Sequence, residues 1–175
     1  MLVYLFVVLA VAARFIPHGM GFTPVTASLL FFGARGSRRQ LWFPMVLLAA
    51  SDIFLTKVIY SYQFSWDHFV TWAWYAAVLA LGTRLRENSK PLWILGSALA
   101  GSVSFFLVSN FAVWAAFGMY PKNFAGLMTS YAMAIPFFQR GLAGDLLFTA
   151  VMFATPVAMS SLSERTRRSG SIRAA

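Results

Sequence analysis

The chain has 175 residues, of which 59% are hydrophobic, 17% aromatic and 11% charged, with no cysteine. Soluble domains carry about a quarter charged residues. A mean hydropathy of +0.70 with so little polar side chain excludes a soluble globule and indicates an integral membrane protein. Lys and Arg number 14 against 5 Asp and Glu, a formal charge of +9, but these cations sit in short clusters between apolar runs, where topology signals belong. Membrane lipid is therefore the expected partner and nucleic acid is not. The lack of cysteine excludes disulfides, thiolate metal sites and thiol catalysis.

The apolar stretch 2–13 has no basic leader, and Arg14-Phe15-Ile16-Pro17 is a poor cleavage context, so it reads as a first membrane helix rather than a signal peptide. Residues 2–16 and 22–34 fall short of the about 20 apolar residues that cross a bilayer. They are expected as tilted or partly immersed helices joined by a tight Pro17-His18-Gly19 turn. Residues 42–57 and 68–83 form the next pair, with Pro44 in a first turn that tolerates it. The clearest span is 92–117, which holds no ionisable residue. Within it Gly96 and Ala100, and Ser97 and Gly101, are spaced for close helix approach. Residues 124–138, interrupted by Pro136, predict a short interfacial or re-entrant helix. Residues 142–162 close the bundle, with a kink expected at Pro156.

The fold class expected is thus an all-α integral membrane protein, a compact six-transmembrane-helix bundle in one domain over residues 1–162. Residues 163–175 form a basic cytoplasmic tail, expected to be disordered and to touch anionic headgroups. Arg35, Arg38 and Arg39, then Arg84, Arg86 and Lys90, then Arg165, Arg167, Arg168 and Arg173 fall on one side of six spans. The positive-inside rule makes that side cytoplasmic, with both termini on it.

Ionisable groups within a membrane are costly and call for a partner or a polar cavity. Arg14, Asp52, Lys57 and Asp145 qualify, and six spans place all four in the outer half. Asp145 follows Gly144 in the expected first turn of the sixth helix, where the dipole favours a carboxylate. A buried pair of Arg14 with Asp52 or with Asp145, fixing helix register, is the structural alternative to a binding role. Asn110 and Trp114 share one face of the fifth helix with Phe106 and Ser109. Together with Tyr131 they suggest an aromatic-walled small-molecule pocket. Trp66, Trp72 and Trp74 are expected in an aromatic belt at the membrane surface. His18 and His68 stand alone, which favours turn hydrogen bonds over metal ligation. With no HExxH, GxSxG, P-loop or dinucleotide motif, neither an enzyme, a cofactor nor a metal site is expected.

Several ordered motifs carry a resemblance. Arg14-x-x-Pro17-His18, Phe22-Thr23-Pro24-Val25, Ser51-Asp52, Phe105-Phe106-x-x-Ser109-Asn110-x-x-x-Trp114, Met119-Tyr120-Pro121, Tyr131-x-x-Ala134-Ile135-Pro136-Phe137-Phe138 and Gly144-Asp145 resemble a family of small bacterial membrane proteins assigned to transport. That family in turn resembles the substrate-binding S components of energy-coupling-factor vitamin transporters. The resemblance implies a six-helix inner-membrane protein with an outward pocket closed by the loop between the first two helices, and an energising coupling module as partner. Ala10, Ala12 and Ala13 lack the AxxxA spacing of the S-component docking face, which leaves solitary function open.

The leading expectation is uptake of a vitamin-like nutrient through an outer pocket built from Arg14, His18, Asp52, Asn110, Trp114, Tyr131 and Asp145. One rival is a non-transporting scaffold of envelope or cell-shape machinery, whose interior would be filled by its own side chains. Another is a proton-coupled permease using Asp52 and Asp145.

Overall fold

The structure, a computed structural model, describes residues 1–16 and 22–173, with side chains as far as Glu164. Six α-helices and no strand occur among the described residues: α1 (Leu2–Ala13), α2 (Val25–Arg35), α3 (Trp42–Phe54), α4 (Asp67–Arg84), α5 (Pro91–Ala116) and α6 (Phe124–Arg173). A 3-10 turn (Arg38–Gln40) leads into α3, and a π-helical turn (Leu55–Ile59) extends it. The expected turn Pro17-His18-Gly19 lies outside the described residues.

Three helical stretches are long and apolar enough to cross a membrane: Arg38–Ile59, Pro91–Ala116 and Phe124–Glu164. Their outward faces are apolar. On α5, Leu92, Leu95, Leu99, Val103 and Leu107 recur every three or four residues and are all exposed, an arrangement suited to lipid rather than water. The 12 residues of α1 and 11 of α2 reach about 18 and 16 Å, well short of the about 30 Å hydrocarbon core.

The short α2 is the hub of the bundle. Every residue from Val25 to Ala34 is buried, because α1, α4, α5 and α6 all pack on it. A helix apolar on every side is stable only when enclosed in this way. Close approach to α4 depends on two facing glycines. A Cβ on Gly33 would lie 2.4 Å from the Leu79 carbonyl oxygen, and one on Gly82 would lie 2.6 Å from that of Leu30. The carboxyl end of α2 is capped from the next basic loop, where Arg86 donates to the carbonyls of Gly33 (2.7 Å) and Gly36 (2.6 Å). A cation there also meets the negative end of the helix dipole. Of the two small-residue patterns on α5, Ser97 and Gly101 face inward, Gly101 meeting the Thr26 methyl, whereas Gly96 is open.

The start of α1, the two basic loops and the later turns of α6 lie at one end of the bundle. Tyr4 hydrogen-bonds Gln40 and packs on Phe32, while Phe31 meets Phe153 edge to face at 5.1 Å.

Two expectations about the carboxyl-terminal third are corrected. Residues 124–138 are not a separate interfacial or re-entrant piece but the first turns of α6, which runs unbroken for 50 residues. Asn123 starts it by accepting the Gly126 amide at 2.8 Å. Pro136 and Pro156 both lie inside the helix and end it at neither place. Long membrane helices tolerate such prolines. The helix also continues through the basic tail to Arg173, where disorder was expected.

Candidate functional site

Two polar clusters sit at a common depth. Asp52 is ten residues into α3, Tyr75 is nine from the end of α4, and Ser102 is eleven into α5. At 1.5 Å per residue each lies about 14–17 Å from the basic end of its helix. Arg14 stands just past the end of α1 and Asp52 two residues before the end of α3, as expected, whereas Tyr75 and Ser102 lie near the middle of longer helices.

The first cluster forms around Asp52, which is buried. Arg14, at the end of α1, makes an ion pair with it and donates to Ser51 Oγ at 2.6 Å. Trp72 Nε1 donates to the other carboxylate oxygen at 2.9 Å, and the Tyr75 hydroxyl reaches Asp52 at 3.4 Å. Of the two ion pairs the sequence allows, Arg14 makes the one with Asp52. Both charges are then matched, which is how buried ions are retained.

The second cluster is Asp145 with two hydroxyls. Ser102 on α5 donates to Asp145 Oδ2, and Thr26 in the first turn of α2 bonds the same carboxylate. Asp145 does not lie in a first turn of its own helix, since α6 begins 21 residues earlier. The helix end beside it belongs to α2. Its neighbour Gly144 admits the ring of Phe22, which would stand 3.0 Å from an added Cβ. No Lys, Arg or His among the described residues pairs with Asp145.

Between the clusters lies a cavity of about 370 Å³ bounded by α2, α4, α5 and α6. Arg14, Asn110 and Asp145 line it, joined by Thr26, Ser102 and Ser109. Its apolar wall is mostly aromatic: Trp74, Tyr75, Phe105, Phe106, Phe137 and Phe138. Such a space, largely apolar with a few convergent polar groups, has the makeup of a small-ligand site.

The other expected site residues are placed elsewhere. Asp52 stands behind Arg14 rather than in the wall. Trp114 is one turn beyond Asn110, and its Nε1 donates to the Pro121 carbonyl at 2.9 Å. Lys122 hydrogen-bonds the Trp114 carbonyl and lies over its ring, so this residue ties down the turn between α5 and α6. Tyr131 donates to the Leu107 carbonyl at 2.9 Å and backs Phe106 from outside the cavity. His18 lies outside the described residues. Lys57 is exposed on the π-helical turn. His68 bridges Thr56 (2.9 Å) and the Ser65 carbonyl (3.1 Å), a loop role that matches its expected turn hydrogen bond.

Other contributors were not singled out from sequence. Trp72 and Trp74, expected in the surface belt, point inward: the first binds Asp52, and the second is buried in the cavity wall with Nε1 donating to Ser104 at 3.0 Å. Trp66 alone of the three is exposed. Ser102 and Thr26 gave no signal, because serines and threonines in apolar helices commonly bond their own backbone. Among the described residues, no three His, Asp or Glu side chains are grouped to hold a metal ion.

Fold and site together define an all-helical, membrane-type protein enclosing a polar-lined aromatic cavity. The chain belongs to the DUF6580 family, a family of unknown function whose model matches residues 1–166. No curated protein and no solved structure matches it.

Proposed function

We propose that this protein is a substrate-binding transport protein of the bacterial inner membrane, a six-helix S-component-like bundle that takes up a small nutrient without catalysing a reaction. The reading rests on the cavity of about 370 Å³, in which Arg14, Asn110 and Asp145 converge among aromatic rings. A scaffold would fill that volume with its own side chains, since protein interiors pack to crystal-like density. In this reading all six helices are membrane-embedded, the basic loops and both termini lie in the cytoplasm, and the cavity lies in the outer half or at mid-depth, accessible from outside. An energising coupling module or an ion gradient supplies the work. In the gradient version the coupling carboxylate is Asp145, because Asp52 is held by Arg14.

The test is a thermal-shift screen of the purified protein in lipid nanodiscs against vitamins and related nutrients. A ligand that raises the melting temperature, and whose effect falls at least tenfold in concentration dependence on Asn110→Leu, supports the reading. A screen with no ligand, together with a cavity that Ala134→Phe fills without changing uptake in cells, overturns it.

A further inference from the structure

The groups that face the cavity are unevenly charged. Among the described residues Arg14 is its cation, and that charge is already matched by Asp52. Asp145 is its carboxylate, 9% exposed and held by hydroxyls with no cationic partner among the described residues. An anionic ligand would have to compete with Asp52 for Arg14 while sharing the space with Asp145. A cationic ligand would supply the missing counter-charge to a carboxylate that burial otherwise penalises.

The aromatic groups point the same way. Asn110 Nδ2 gives one N–H to the Phe106 carbonyl at 2.7 Å and keeps a second N–H and its side-chain oxygen, so it can bond a ligand of either charge. The Trp74 indole N–H is taken by Ser104 and the Tyr75 hydroxyl by Asp52, so both rings line the cavity with their donors already engaged. Trp74 packs on Phe105 at 4.6 Å between centroids, and Phe106 on Phe138 at 4.7 Å, which makes two aromatic walls. Aromatic faces beside a lone carboxylate are the combination that attracts organic cations. A volume of about 370 Å³ suits a small one.

Resting on the binding role proposed above, we infer that the cavity takes a small organic cation, an amine or quaternary or heteroaromatic ammonium with an apolar body, with Asp145 as its counter-ion. The experiment is calorimetric titration of the full chain in nanodiscs with phenyltrimethylammonium, benzyl alcohol and benzoate, which are similar in size and differ in charge. The expected result is at least tenfold tighter binding of phenyltrimethylammonium than of either other probe. Asp145→Asn, which keeps the shape and can still bond the hydroxyls, then narrows that preference to under threefold. Ala134→Phe weakens all three probes by filling the cavity.

Benzoate or benzyl alcohol binding as tightly as the cation, and lost on Ala134→Phe, overturns the inference while leaving a binding cavity in place. Absence of binding by all three also overturns it, and the nutrient screen then decides separately whether the cavity binds anything. Should Asp145→Asn fail to fold, the ratio of the three wild-type affinities still decides.

Discussion

Arg14 and Asp52 are each expensive to bury alone, and their surroundings show how the cost is offset. The guanidinium is shared between a carboxylate and Ser51, and the carboxylate also accepts from Trp72 and Tyr75. Removing either charge strands the other, so Asp52→Ala or Arg14→Ala should each destabilise the bundle by about 3–5 kcal/mol. The double variant should be no worse than the harsher single one, because it leaves no unpaired ion. Midpoints of SDS-induced unfolding check this, and fully additive losses would contradict the pairing. At this scale the sequence reveals which residues are costly, because a charge or an Asn in an apolar run stands out. Arg14, Asn110 and Asp145 were legible for that reason and do line the cavity. Trp114 was misplaced because helical spacing assigns a face but not a depth. It shares the side of Asn110, yet α5 ends two residues later, and its indole is used by the turn that follows.

At the scale of elements, hydropathy found the positions of all six helices but not where the last of them begins. The division of 124–138 from 142–162 followed Pro136, yet a proline interrupts one backbone bond and need not end a long helix enclosed by neighbours. The other lesson is α2. Its short apolar run marked it as too short to span, and 11 residues are; what the run did not show is that its neighbours enclose it on all sides and its amino end opens on the cavity. That arrangement depends on the bare backbone contact of Gly33 with Gly82. Gly33→Ala and Gly82→Ala should each force α2 and α4 apart, costing about 1–3 kcal/mol from overpacking. Gly96→Ala, whose added methyl meets nothing within 4 Å, is the matched control and should leave the unfolding midpoint unchanged or slightly raised, since alanine favours the helix over glycine. Equal effects at the three positions would contradict the close crossing.

For the molecule as a whole, the proposed topology can be read with single cysteines, because the chain has none of its own. Ser37→Cys lies in the first basic loop, and Gln63→Cys in the loop between the π-helical turn and α4, both at exposed positions. With both termini cytoplasmic, an impermeant maleimide added to intact cells should label Gln63→Cys and reach Ser37→Cys only after permeabilisation. The reverse pattern would invert the bundle and close the cavity to the outside. The sequence by itself indicated a helical membrane protein, since 11% charged residues cannot cover a water-facing surface and the long apolar runs suit helices, which bond their backbone internally in hydrocarbon. Which polar groups meet was decided by packing. Asp52 and Asp145 look alike along the chain, yet Arg14 at the end of a 12-residue helix reaches the first, while hydroxyls from α2 and α5 hold the second. Distance in space, set by helix lengths and by two glycines, gave one carboxylate its counter-ion and left the other in the cavity wall without one among the described residues.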